Sequence, residues 1–184
     1  MPYPRTELEE MIKRFVAAND KAGDTGDWEP LAQFYAEDAI YSWNNGPKHE
    51  FVARGRKEIR DFVFGTEMAG LEKWTYPYVR TIIDDQAGEV IGIWRQVAPV
   101  KKDDGVPYEI AGTGGSWFRY GGNFQWIWQR DFFDHANAGA AFLQMAKDQK
   151  LSEGMQRRMA AGTKAPGWVR LADFDWYATL PKER

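Results

Sequence analysis

The sequence predicts an α+β fold. Helical periodicity opens the chain, four strand-like runs follow in succession, and helical periodicity returns after residue 134. Helices segregated from a run of strands fit an antiparallel meander better than alternating βαβ units.

Each element has its own signal. In "TELEEMIKRFVAANDKA", Leu8, Met11, Ile12, Phe15 and Val16 recur at helical spacing, with Thr6 as the expected cap. "GDTGD" is a turn. "DWEPLAQFYAED" reads as a second helix capped by Asp27, with Pro30 in its first turn. "AIYSW" is a short strand ended by "NNGP", and "GRKEIRDFVFG" a third helix. The strand runs are "KWTYPYVRTII", "GEVIGIWRQVAPV", "PYEIAGTGGSWFRY" and "NFQWIWQRDFFD", separated by "DDQAGE", "KKDDGV" and "YGGN". "ANAGAAFLQMAKDQK" and "SEGMQRRMAAG" are helical, and a tail with Trp168, Trp176 and Tyr177 closes the chain. The expected organisation is one domain over residues 1–184, with a core of about 5–150 and a C-terminal helical extension or tail over 151–184.

Composition bounds the function. Hydrophobic residues make up 43% of the 184 residues, enough for a real core, and the 9 Trp exceed ordinary core filling. With a net charge of -3 and no basic stripe, nucleic acid and anionic membrane are not expected partners. The absence of cysteine removes disulfides, thiolate chemistry and Cys-based zinc sites. No signal-like apolar core or spanning segment is read, so a cytoplasmic location is expected.

"WQRDFFD" poses the functional question. Strand alternation puts Phe124, Trp126, Trp128, Arg130 and Phe132 on one face, and Gln125, Ile127, Gln129, Asp131 and Phe133 on the other. A carboxylate amid large apolar side chains needs a partner or a task, because burying it alone is costly.

"LAQFYAEDAIYSW" resembles the helix-to-strand start of the nuclear transport factor 2-like cone, the fold of SnoaL-like cyclases, ketosteroid isomerase, scytalone dehydratase and limonene epoxide hydrolase. "WQRDFFD" resembles the last strand of the epoxide hydrolase branch, where a W-R-D-Y-F-D run is typical. The resemblance covers roughly residues 5 to 150. It implies a curved antiparallel sheet wrapped around N-terminal helices, with a cavity between them. It also implies that Asp131 is catalytic and points into the cone. Arg95 matches the Arg of that branch's Arg-x-Asp pair, but Val97 stands at the second carboxylate. Tyr41 matches its water-holding Tyr, while Trp43 replaces its Asn. The hydrolytic set is therefore incomplete, and one carboxylate, one guanidinium and one phenol remain. Arg95 could steady an oxyanion or hold Asp131 ionised, and Tyr41 could donate to a substrate oxygen. The competing structural reading is a buried Asp131–Arg95 ion pair across strands.

Expected substrate-binding residues are Trp43, His49, Trp74, Tyr76, Asn19, Gly114, Gln129 and Phe133. His49 would sit at the cavity mouth; as a solvated loop histidine it would do nothing. Trp74 stands near where related dehydratases carry a catalytic His, so a His–Asp dyad is not expected and Asp20 reads as a helix-end residue. His135 reads as a local hydrogen-bonding residue, and two lone histidines predict no metal site. "GTGG" lacks the Lys and the strand–loop–helix setting of a phosphate loop, so Gly114 reads as a strand glycine that widens the cavity.

Parity places Trp94, Trp117, Trp126 and Trp128 opposite Arg95, Gly114 and Asp131. Four indoles on a convex face predict a homodimer through that face, or a C-terminal tail folded over it. The expected function is a cofactor-independent acid–base lyase, dehydrating or cleaving in retro-aldol fashion a bulky hydroxylated aromatic or polycyclic substrate. A steroid-type isomerase or polyketide-type cyclase is the first alternative, and a non-catalytic binding cone the second.

Overall fold

The computed structural model describes residues 3–182. Helix α1 (Arg5–Thr25) follows Pro4 directly, and its C-terminus is closed by Gly26 in the left-handed conformation. Thr6 lies inside the helix rather than capping it. Leu8, Met11, Ile12, Phe15, Asn19, Ala22 and Gly23 form the buried stripe, which is the 3.6-residue period made physical.

The predicted second helix is only a turn of 3-10 helix at Glu29–Phe34; the chain then extends at once as β1 (Tyr35–Asn45). Tyr35 and Ala39 are fully buried, so burial overrides the helical pattern of "FYAED". β2 (His49–Arg54) returns antiparallel to β1. α2 (Gly55–Glu58) runs on as a π-helical turn over Ile59–Thr66.

The four strand-like runs resolve into six strands. These are β3 (Tyr78–Asp84), β4 (Glu89–Trp94), β5 (Val97–Lys101), β6 (Pro107–Glu109), β7 (Gly114–Tyr120) and β8 (Trp126–Phe132). β5 and β6 separate as a two-stranded ribbon. The C-terminal part contains α3 (His135–Lys147), α4 (Glu153–Ala161), β9 (Trp168–Arg170) and α5 (Trp176–Thr179).

The main sheet has seven strands in the order β3-β4-β7-β8-β1-β2-β9. Its pairs are antiparallel except for β1 beside β8, which run parallel. The sheet curves around α1, with Phe15 as the hub: its ring meets those of Phe34, Tyr35, Tyr78, Phe118 and Trp126 edge-on. A second core joins Leu71, Trp74, Tyr108, Ile110, Met145 and Met155, and seats α3 and α4 against the ribbon. Gly70 and Gly154 let backbone touch backbone there; a Cβ on Gly70 would lie 2.3 Å from the Met155 amide nitrogen.

The convex-face assignment of the indoles needs two corrections, at Trp94 and Trp126. Trp94 faces the concave side, opposite Gly114, and a Cβ on that glycine would lie 2.3 Å from the indole. Gly114 thus makes room for Trp94 instead of enlarging the cavity. Trp126 also faces inward, stacked on Phe118 at 4.6 Å. Tyr120 pairs with Trp126 and Arg119 with Trp128, so β8 has one extra residue, Ile127, between them. This bulge reverses the parity, and residues of like parity fall on opposite faces. Trp128 is convex, but the tail covers it: its indole donates to Thr179 at 3.0 Å and is 0% exposed. Trp117 alone of the four remains a partly exposed convex indole.

The convex face also carries a buried ion pair. Arg130 on β8 reaches Glu50 on β2 and donates to Ser42 at 3.0 Å, while the Trp176 ring lies 4.4 Å from its guanidinium carbon. β9 pairs with β2, so the C-terminal extension adds an edge strand to the sheet.

Candidate active site

Three neighbouring strands, β1, β8 and β7, aim polar groups into one concave space. Register pairs Ser116 with Asp131, and Tyr41 with Gln129, on neighbouring strands. The bulge at Ile127 ends before Gln129, so Gln129, Asp131 and Phe133 share the concave face.

Asp131 is held at both oxygens. Tyr41 donates to Oδ2 at 2.6 Å. Ser116 donates to Oδ1 at 2.6 Å, and Gln129 Nε2 to the same atom at 2.7 Å. These donors are themselves fixed. Trp94 Nε1 donates to Ser116 Oγ at 3.0 Å, and the Tyr35 hydroxyl donates to Gln129 Oε1, which sets the direction of that amide. The carboxylate therefore has one preferred orientation.

Electrostatics follow from the enclosure. Burial raises the Asp131 carboxyl above its ordinary 3.8, and the Ser116, Tyr41 and Gln129 donors and the Arg130 charge behind the sheet work against it. Burial, and next the Asp131 charge, raise the Tyr41 phenol well above its usual range. Tyr76 is pushed up to about 12 by burial, with the Arg158 charge opposing. Gln96 donates to the Tyr76 oxygen at 3.2 Å, which leaves the Tyr76 hydroxyl proton available to a substrate oxygen.

The cavity these groups line is about 170 Å³, walled largely by aromatic rings. Tyr41, Trp43, Tyr76, Asn19, Gln129, Phe133 and Asp131 all line it, as the sequence suggested. Asn19 contributes by anchoring the wall: its amide donates to the Tyr76 carbonyl at 3.0 Å.

Four expected members lie elsewhere. Arg95 points outward, is exposed, and makes a two-point bond to Glu109 on β6, at 2.6 Å from Nε. Alternation admits either Trp94 and Gln96 or Arg95 to the cavity, and the uncharged pair, which costs less to desolvate, takes it. Trp74 is buried in the second core beside Phe142, under α3. His49 is half-buried at the start of β2, between Asn45 and Arg170 in register, outside the cavity lining. Gly114 lies beneath the Trp94 ring.

The cavity's cation is instead Arg158 from α4, which donates to Glu67 Oε2 at 2.7 Å and to the Glu67 carbonyl. Trp168 donates to the other Glu67 oxygen at 3.0 Å. Ser116 shares parity with Gly114 and Asp131's partner positions, so strand alternation could have found it. Glu67 and Arg158 gave no such signal, since a helix turn and a distant C-terminal helix bring them together. Among the described residues no three His, Asp or Glu side chains form a metal-holding group, and no helix is long and apolar enough to cross a membrane.

Known proteins give the same architecture. PrhC from Penicillium brasilianum matches with a TM-score of 0.59 and 15% identity, over 83% of this chain and 96% of its own. A protein from Jannaschia sp. CCS1, provisionally named a SnoaL-like polyketide cyclase, matches with a TM-score of 0.54 and 13% identity, over 74% of this chain and 91% of its own. A nuclear transport factor 2-like protein from Anabaena variabilis matches with a TM-score of 0.54 and 14% identity, over 73% of this chain and 94% of its own. At these identities the likeness is one of fold. No curated protein matches the sequence. The SnoaL-like domain family matches residues 4–140, from α1 through the last long strand into α3, and the chain belongs to that family.

Proposed function

We propose that the cavity catalyses a cofactor-independent acid–base elimination on a hydroxylated aromatic substrate, with Asp131 as the general base. The observation that supports this most is the carboxylate itself: it is oriented by three donors, raised by burial, and faces an aromatic cavity. In a dehydration, Asp131 takes a proton from carbon; the C–O bond breaks as the C=C bond forms, and the proton leaves with the hydroxyl as water. In the retro-aldol variant it takes the hydroxyl proton, the adjacent C–C bond breaks, an aldehyde departs, and the carbanion recovers the proton. Tyr41 holds the carboxylate, and Tyr76 is placed to donate to a substrate oxygen. Arg95 has no part in this scheme.

A steroid-type isomerase or polyketide-type cyclase would use the same base, and the tyrosines around Asp131 favour it as the second reading, since phenols can support an enolate oxygen. Mass spectrometry of a panel of phenolic alcohols and enones incubated with the protein separates the readings. Loss of water or an aldehyde supports the lyase, and an unchanged mass with a new isomer supports the alternative. Panel compounds that bind and return intact would make the cone a binder.

The homodimer is kept as a proposal on narrower ground, because only Trp117 of the four indoles is still a partly exposed convex residue. Sedimentation velocity at micromolar concentration tests it; a monomer ends it.

A further inference from the structure

The inner cavity, at about 170 Å³, has room for about one aromatic ring, the scale of an apolar void that holds benzene. Several polar groups on its wall are already engaged. Tyr41, Ser116 and Gln129 serve Asp131, and Glu67 holds Arg158 and Trp168.

Tyr76 and Gln96 differ. Gln96 Nε2 donates to the Tyr76 hydroxyl at 3.2 Å. The proton of that hydroxyl meets no acceptor, and Gln96 Oε1 meets no donor, among the described residues. Oε1 is not among the buried unpartnered side-chain atoms, so it keeps open surface; both residues line the cavity and are partly exposed. Both are also held in place. The Tyr76 ring meets Trp28 edge-on at 5.4 Å and Trp94 at 5.7 Å, and its backbone carbonyl accepts from Asn19. The Gln96 backbone carbonyl accepts from the Ile110 amide at 3.0 Å. Burial pushes the Tyr76 phenol up to about 12, so it keeps its proton at neutral pH.

We propose that Tyr76 and Gln96 together bind one free hydroxyl of the substrate, which accepts from the Tyr76 hydroxyl and donates to Gln96 Oε1. With Gln96 Nε2 donating to Tyr76, three hydrogen bonds then close a ring in which every donor points the same way, the arrangement in which each bond strengthens the next. A methyl ether can accept from Tyr76 but has nothing to donate, and leaves Oε1 unpaired. Gln96 is thus the residue that selects a hydroxyl over its methyl ether. The inference rests on the inner cavity being the substrate site, and not on Asp131 being the base.

Tryptophan fluorescence titration with para-cresol and 4-methylanisole tests the contact without turnover. Para-cresol is expected to bind roughly 3- to 10-fold more tightly, the scale of one hydrogen bond. Gln96→Met should bring the two affinities to within about twofold of each other, mainly by weakening para-cresol. Asp131→Asn should keep the preference, because Asp131 does not hold this hydroxyl. Should Gln96→Met not fold, the Gln96 side-chain carbonyl resonance decides on the unaltered protein: para-cresol should shift it and 4-methylanisole should leave it nearly in place. Equal affinities in the wild type, a preference that survives Gln96→Met or is lost in Asp131→Asn, or an unmoved Gln96 resonance would overturn the proposal. Should Asp131→Asn leave turnover intact, the base assignment fails while the preference for para-cresol stands.

Discussion

The Tyr41 hydroxyl donates a 2.6 Å hydrogen bond to Asp131 Oδ2, and no other donor reaches that oxygen among the described residues. Ser116 and Gln129 both serve Oδ1. Tyr41 therefore sets the position of one carboxylate oxygen by itself. Tyr41→Phe keeps the ring and its packing against Tyr35, and removes only the donor. Turnover should fall about tenfold, at the low end of what positioned proton-transfer groups contribute. Because the lost bond holds the Asp131 pKa down, the acid limb of the rate profile should also move to higher pH. An unmoved limb would detach Tyr41 from Asp131.

Asp131 links activity and stability to pH in opposite senses. As base it must be ionised, so activity should fall in acid with a midpoint above 3.8. Its folded pKa is raised, so the fold prefers the protonated form; that contribution is present below the unfolded value and lost as pH rises through the folded one. Asp131→Asn removes this penalty. Its thermal midpoint at neutral pH should equal or exceed that of the wild type, and the difference should shrink in acid. A variant less stable at neutral pH than in acid, relative to wild type, would contradict the raised pKa.

Much of this arrangement was legible in the sequence, for identifiable reasons. The buried stripe of α1 follows from helical spacing, and Gln129, Asp131 and Phe133 share a face because alternation is unbroken across them. Tyr41 and Trp43 enter by the same rule on β1. Parity alone does not say which face is concave; the resemblance put Arg95 inside, and alternation then put Trp94 outside. Parity also fails across a bulge, so Trp126 was expected beside Trp128. Arg158 comes from a helix far along the chain, and only tertiary packing through Gly70 and Gly154 delivers it.

Arg95→Met tests that correction. Arg95 is solvent-exposed and pairs with Glu109 outside the cavity. Exposed ion pairs contribute little. Turnover should remain within about twofold of wild type and the melting profile should barely change. A large loss of turnover with intact folding would return Arg95 to the site.

Arg130→Met should do the opposite. It leaves Glu50, 0% exposed, without its cation. Breaking one side of a buried pair costs about 3–5 kcal/mol. Chemical denaturation should show a loss on that scale, and adding Glu50→Gln should recover much of it. If the single variant is as stable as wild type, the pair is not buried as described.

The central claim is that Asp131 is the base, and the most direct test is the turnover of Asp131→Asn. The substrate is whichever panel compound the wild type converts, followed by product mass. Asparagine keeps the shape and removes the proton acceptor, so the rate should fall by about 10²-fold or more, with the protein folded and its ligand affinity largely retained. Turnover near the wild-type rate would contradict the account and leave Asp131 as a structural residue of the cone.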